Sequence, residues 1–205
     1  MKMRRWMAIL VLAVMLCAAG QAEGAAEEAG QVFRLPETDV CVTIPARFYC
    51  VTQQTETSDD MFRVLELDPE QIMAYVKENG TALIGYVPGL AELIDLYVFD
   101  DDEADREVRP DGSLVVQPDK YAAFLEENGG FEIESGLYEG AAHTGACFHY
   151  SMTQADGETV YVSHYILIMD GTAIHIRLFS EKPVTEAQEA DVRGVLDSIG
   201  PAPEE

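Results

Sequence analysis

Apolar and polar residues alternate along most of the chain from Val32 to Phe179, and the alternation stops repeatedly at Gly, Pro, Asn and Asp. The segments VFRL, VCVTI, FYCVT, TALIGYV, ELIDLYVF, FEIESGLY, GACFHYSM, TVYVSHYILIM and TAIHIRLF are short and rich in β-branched and aromatic residues, so they read as strands. Turn residues separate them at Pro45-Ala46, Pro110-Asp111-Gly112, Asp156-Gly157 and Asp170-Gly171. The last two carry the Asp-Gly signal of a tight hairpin. Three stretches switch to the helical period. In DPEQIMAYVKENG, Asp68 is placed to cap, Pro69 takes the first helical position, and Gly80 follows the end. QPDKYAAFLEENG repeats that grammar with Pro118 and Gly129, and puts Tyr121, Phe124 and Leu125 on one face. The last helix opens at Thr185 with Gln188 completing a capping box. Val192, Val195, Leu196 and Ile199 keep the period until Gly200-Pro201 stops it. The order is hairpin, helix, strands, helix, four-strand meander, helix. It predicts an α+β fold, an antiparallel β-sheet flanked by helices.

This order resembles the PsbP-like fold, an α/β/α sandwich, over roughly Val32 to Ile199. The likeness is carried by the opening hairpin VTIPARFYC, the helix EQIMAYVKENG, the late meander from FHYSM through VSHYILIMDGTAIHIRLF, and the closing helix that ends in VLDSIG. These are features of architecture. The resemblance implies a domain of a mostly non-enzymatic superfamily that binds or scaffolds other proteins, and it brings no functional residue with it.

The N-terminus has a different character. Lys2, Arg4 and Arg5 precede an apolar run from Met7 to Ala19, and Gly20-Gln21-Ala22 offers small residues before a cut. Residues 1–22 read as a secretory signal peptide cleaved after Ala22. The apolar run is shorter than the ~20 residues of a membrane span, so no stable span is expected after cleavage. Lipidation at Cys17 and retention as an anchor are the alternatives; Leu16 sits where a lipidated cysteine wants a small neighbour. Residues 23–30 form an acidic flexible leader, 31–200 a single α+β domain of ordinary size, and 201–205 a tail. The protein is then secreted or associated with the cell envelope.

Charge narrows the partners. The 205 residues carry 13 Lys and Arg against 37 Asp and Glu, a net charge of −24. Losing three basic residues with the signal leaves ten against 37, or −27. Such a surface repels phosphate backbones and anionic lipid, so nucleic acid is excluded as a partner. It suits solubility, cations and basic proteins.

The candidate chemistry is sparse. G-x-S-x-G, H-E-x-x-H and phosphate-loop motifs are absent from the sequence. The run DDDEADRE, residues 100–107, lacks the glycine and glutamate spacing of a calcium loop and reads as a solvated acidic loop or a weak calcium site. The one tryptophan, Trp6, lies in the signal; Tyr86, Tyr97 and Tyr138 keep a sugar-binding surface open. Beyond the signal the cysteines are Cys41, Cys50 and Cys147. If Pro45-Ala46 is the tip of a hairpin, Ile44 opposes Arg47 and Cys41 opposes Cys50, which allows a disulfide. A longer turn through Phe48 would remove that pairing. Cys147 is the odd thiol, either buried and inert or available for an intermolecular bridge or reaction.

The hairpin at Asp170-Gly171 sets Met169 opposite Thr172, Ile166 opposite His175 and His164 opposite Arg177. Tyr165, Leu167, Met169, Ile174, Ile176 and Leu178 then share the core face. Treating Asp156-Gly157 in the same way sets Phe148 opposite Tyr165 and His149 opposite His164. The second face would carry a row of His149, His164 and Arg177. His149 and His164 together could hold zinc or copper if Cys147 or a carboxylate completed the set. His175 and Arg177 could instead form a patch for an anion or a partner, or the row could be a polar sheet face partly covered by a helix. Cys147 with His149 or His164 lacks a visible orienting group and oxyanion hole. The expected function is that of a non-catalytic protein-binding or assembly accessory domain with no cofactor. A metal-binding protein using His149 and His164 is the alternative, and a hydrolase centred on Cys147 is a third reading.

Overall fold

The computed structural model describes residues 30–87, 92–100, 106–108, 110, 114–154, 157–169 and 171–202. The signal segment 1–22, the leader except Gly30, residues 101–105 of the acidic run, Asp111-Gly112, Asp156, Asp170 and the last three residues of the tail lie outside the described residues. The chain begins with β1 (Gln31–Arg34), β2 (Val40–Ile44), β3 (Tyr49–Thr52), α1 (Asp60–Val64), α2 (Pro69–Glu78), β4 (Thr81–Tyr86) and β5 (Glu92–Asp100). A ribbon of β6 (Arg106–Val108) and β7 (Leu114–Val116) precedes α3 (Pro118–Glu127). There follow β8 (Gly130–Glu139), β9 (Thr144–Thr153), β10 (Thr159–Met169), β11 (Thr172–Ser180), α4 (Glu186–Asp197) and β12 (Gly200–Pro201).

The class is the α+β one that the patterning predicts. Seven strands form an antiparallel sheet in the order β3-β4-β5-β11-β10-β9-β8. On one face lie α4 and a small sheet of β1, β2 and β12, joined to the large sheet by a core that includes Val42, Ile44, Ile94, Ile176, Leu178, Val195 and Leu196. On the other face α1 and α2 pack through Phe62, Ile72 and Val76 against Val51 and Ile84. There α3 and β7 pack through Leu125 and Val116 against Phe148, Val162 and Ile166. Leu93 touches both of these clusters, so they share a face. The caps follow the sequence. Asp68 accepts from the N–H groups of Glu70 and Gln71, Thr185 and Gln188 form the reciprocal box, and Gly80 and Gly129 take positive φ just past their helices. The start of α3 rests on Pro118, because the side chain of Gln117 makes no capping bond.

Four details depart from expectation. The loop between β9 and β10 has three residues and not two: Gln154 N–H bonds Glu158 C=O, and Gly157 has φ +91°. The register is therefore one residue away from that of a two-residue turn, with Ser163 opposite His149 and His164 opposite Phe148. A slip of one residue turns every side chain to the other face. Secondly, β2 and β3 are not a hairpin. Phe48 N–H closes a turn on Pro45 C=O, and burial of the Phe48 ring in the core sends β3 into the large sheet while β2 stays in the small one. Cys41 faces Arg34 and Gly200, Cys50 faces Gly85, and both thiols are free. Thirdly, α1, β6, β7 and β12 have no counterpart in the sequence reading, and the acidic run ends in strand β6 at Arg106. Lastly, Gly200-Pro201 does more than end a helix, since it pairs with Cys41 and Val40 as a third strand of the small sheet.

Peptide mapping of the purified protein without reductant is expected to find Cys41 and Cys50 unlinked, and added reductant is expected to leave the thermal midpoint where it was. A linked Cys41–Cys50 peptide would contradict the separation of β2 from β3.

Candidate functional site

The pairing of β11 with β5 and β10 sets Asp95, Arg177, His164 and Phe148 directly opposite one another across four strands. Beside that row runs a second, of Tyr97, His175, Ile166 and Ala146. Both rows lie on the face covered by α2 and α3. A carboxylate and a guanidinium in the middle of two otherwise apolar strands have no water to turn to, so they turn to each other. Arg177 Nε donates to Asp95 Oδ1 at 2.9 Å and Nη2 donates to Oδ2 at 2.6 Å, the forked geometry that arginine forms with carboxylates. The Asp95 side chain is 1% exposed and that of Arg177 18%. The guanidinium carbon lies 4.7 Å from the ring centre of Tyr97 and 5.0 Å from that of Phe179. Burial holds the Asp95 carboxyl above its ordinary value, and Arg177, which draws it down, offsets only part of that. Burial also opposes the charge on Arg177, but Asp95 and the surrounding phenols outweigh it and hold the guanidinium protonated.

Tyrosines enclose the pair. Tyr75 of α2 and Tyr97 of β5 bond through their hydroxyls at 2.8 Å. Burial raises the hydroxyls of Tyr75, Tyr86, Tyr97 and Tyr121, and that of Tyr150 to about 12. All stay protonated and can donate.

The histidines of this face are internal. His164 is 2% exposed, and its Nε2 lies 3.1 Å from His175 Nδ1. Tyr121 and Phe148 pack on His164, and Phe99 meets His175 edge-on at 5.2 Å. Burial, then His175 and Arg177, hold His164 well below the usual imidazole range; burial and Arg177 push His175 down to about 3. One neutral ring donates to the other, and His164 Nδ1 has no partner among the described residues. A proton on both rings would set donor against donor.

His149 belongs to the opposite face. Its Nδ1 lies 3.1 Å from Ser163 Oγ and 3.4 Å from Glu189 Oε1 on α4. Ser163 and Tyr165 both donate to the Glu189 carboxylate. Cys147 shares that face; burial, and then the Glu189 charge, push its thiol up. The row of His149, His164 and Arg177 is thus divided by the sheet itself. His164 and Arg177 remain neighbours, with His175 beside them, but His175 and Arg177 face internal partners. Among the described residues no three His, Cys, Asp or Glu side chains converge as metal ligands.

Sequence reasoning missed Asp95, Tyr75 and Tyr150, and it read Tyr86 and Tyr97 only as a possible sugar-binding surface and Tyr121 only as part of a helix face. The signal was available: inside the apolar strands ELIDLYVF and TAIHIRLF stand Asp95 and Arg177, each between apolar neighbours and of opposite sign.

No protein-family model matches the sequence, and no curated protein does. The fold is similar to that of several solved structures. A protein from Bacteroides thetaiotaomicron VPI-5482 matches 86% of this chain at 10% identity with a TM-score of 0.49, and this chain spans 50% of that one. The cyanobacterial PsbP of Synechocystis sp. PCC 6803 matches 89% of this chain and 98% of its own, at 8% identity and a TM-score of 0.44. The Ran-binding protein Mog1p of Saccharomyces cerevisiae matches 83% and 94%, at 10% identity and 0.46. These likenesses concern the path of the chain alone.

The buried groups set two expectations. Below about pH 6.5 the unfolded His164 and His175 each take a proton that the folded ring refuses. Stability is therefore complete at pH 7 and falls with pH by up to about 1.4 kcal/mol per unit for each histidine. For His175 the loss ends near pH 3, where it titrates in the fold. Urea unfolding at pH 7 and pH 5 reads this, and a His164→Leu/His175→Phe variant should lose most of the slope; an unchanged slope would place the protons elsewhere. In the same assay Asp95→Ala should cost about 3–5 kcal/mol, because it strands Arg177, while Asp95→Leu/Arg177→Met should recover most of that.

Proposed function

We propose that this chain is an exported protein, secreted or held at the cell envelope, that binds another protein or assists an assembly without chemistry of its own. The observation that carries this reading is the sign and placement of its charge. Among the described residues Arg34, Arg47, Arg63 and Arg177 each lie against a carboxylate within the fold, so these basic side chains are already paired. The acidic excess is left to the surface. Such a field speeds encounter with a basic protein and repels nucleic acid.

The reactive groups support the non-catalytic part. His164 and His175 are spent on each other, His149 is held by Ser163 and Glu189, and the Cys147 thiol is pushed away from thiolate, the form that attacks. No described helix is long and apolar enough to cross a membrane.

Fractionation of the host is expected to find the protein outside the cytoplasm and shortened at its N-terminus. Crosslinking there, read by mass spectrometry, should recover a recurring protein partner with contact peptides rich in lysine and arginine. Its affinity should weaken by about tenfold or more between roughly 50 and 300 mM salt. A full-length cytoplasmic protein would overturn the location, and a complex indifferent to salt would overturn the basic partner. Substrate turnover that Cys147→Ser abolishes would overturn the absence of chemistry.

A further inference from the structure

β8 is an outer strand of the large sheet, and among the described residues only β9 pairs with it. A bulge interrupts that pairing between Phe131 and Glu134, so the regular edge runs from Glu134 to Glu139. In an antiparallel pair, alternate residues turn their N–H and C=O toward the partner strand and the others turn them away. Gly140 N–H bonds His143 C=O, so counting back along the register Tyr138, Gly136 and Glu134 face β9, while Ser135 and Leu137 direct their backbone groups outward. The loop at the other end of β9 agrees. Gln154 N–H bonds Glu158 C=O, which gives Phe148 and Ala146 to β10 and leaves His149, Cys147 and Gly145 for β8. Ser135 and Leu137 are both exposed, Leu137 by 44%.

The charge around this edge has one sign, and it stands at the surface. Glu132 and Glu134 are exposed on β8, and Glu126 and Glu127 are exposed at the end of α3, the helix that leads into it. Between Lys120 and Arg177 the sequence has no lysine or arginine. Arg177 is taken by Asp95 on the covered face, and Arg193 of α4 is engaged by Tyr165 and Glu189. Glutamates on a sheet edge discourage pairing between two copies, because a second β8 brings the same carboxylates to the same strip. They favour a strand of the opposite sign. Outward backbone groups, an exposed leucine and exposed carboxylates together select an extended segment that carries basic residues near an apolar one.

We propose that β8 accepts an additional strand from the protein partner, an extended segment whose backbone pairs with Ser135 and Leu137, with an apolar side chain opposite Leu137 and a lysine or arginine opposite Glu134. The proposal rests on the basic-partner reading above and gives that reading a place on the fold.

The probe is the octapeptide acetyl-Thr-Thr-Val-Thr-Thr-Lys-Thr-Lys-amide, which in an antiparallel pairing sets valine opposite Leu137 and its first lysine opposite Glu134. It is titrated into the isotope-labelled purified protein and followed by NMR. Saturable amide shifts are expected along Glu134 to Tyr138, and hydrogen exchange at the Ser135 and Leu137 amides should slow about tenfold or more at saturation. Methylating the valine nitrogen removes a ladder donor and should weaken binding about tenfold. Leu137→Pro removes an outward N–H and leaves the pairing with β9, since proline is tolerated where an edge strand faces solvent. It should weaken binding to the same degree, with the remaining amide spectrum reporting that the fold is kept. Glu134→Lys changes an exposed side chain, should also weaken binding, and decides the matter if the proline variant does not fold. Absence of saturable shifts on β8, equal binding of the methylated peptide, or indifference to Glu134→Lys would overturn the proposal. Poly-L-lysine serves as the second arm, because it reports the acidic surface as a whole. If it binds in a salt-dependent way while the octapeptide fails, the edge proposal falls and the basic-partner reading stands. If neither binds, both fall.

Discussion

The ion pair between Arg177 and Asp95 joins β11 to β5, strands 82 residues apart in the chain, at the centre of the large sheet. Its contribution to stability, measured against a well-packed apolar pair, is small or negative, because both charges were taken out of water to make it. Its weight lies in what it forbids. Sliding β11 by one residue along β5 would move either the guanidinium or the carboxylate into the face lined by Ile94, Ile176 and Leu178, with no partner there. An unpaired buried charge costs several kcal/mol, a large fraction of the net stability of a domain. The pair therefore fixes the register of β11, and through it the position of β10 and its histidine.

That register makes the two sheet faces unlike. The α4 face is closed mainly by aliphatic packing, with the polar group of His149, Ser163, Tyr165 and Glu189 beside it. The α2 and α3 face carries the charged pair, two neutral imidazoles and a shell of phenols. Burial drives every titratable group there toward its neutral form; for Asp95 the pull of Arg177 offsets part of this, and for Arg177 the Asp95 charge outweighs it. A site of this kind is poor at moving protons near neutral pH and good at holding a shape.

The sequence shows where the elements are more faithfully than which side they face. All nine strands read from alternation are present, and the three capped helices start and stop within a residue or two of their signals. Alternation of this kind is imposed by a core on one side and survives local variation. Orientation depends on loop length, and a single residue decides it. Asp170-Gly171 reads as a two-residue turn, and the pairing of Met169 with Thr172 agrees. Asp156-Gly157 carries the same dipeptide, yet the loop has three residues, with Gly157 in the left-handed position that closes such loops. The dipeptide fits both, so the two-residue reading puts His149 on the wrong face. Cys41 and Cys50 failed for a related reason. Neighbouring strands in sequence usually pair, but here Phe48 is buried in the core between them, and β2 and β3 lie in different sheets. Asp95 escaped notice because an acidic residue in a chain so rich in them attracts no attention until its strand partner is known.

A cleft beside Asp95 follows from the same constraint. It is built on a helix and two strands, not on loops, and each is fixed by a separate device. Asp68 and Pro69 anchor the start of α2; Ile72, Met73 and Val76 hold its inner face to the sheet; Arg177 holds β5 in register. The stripe from Gln71 to Glu78 is left over once that inner face is buried, and it overhangs the strand that carries the buried carboxylate.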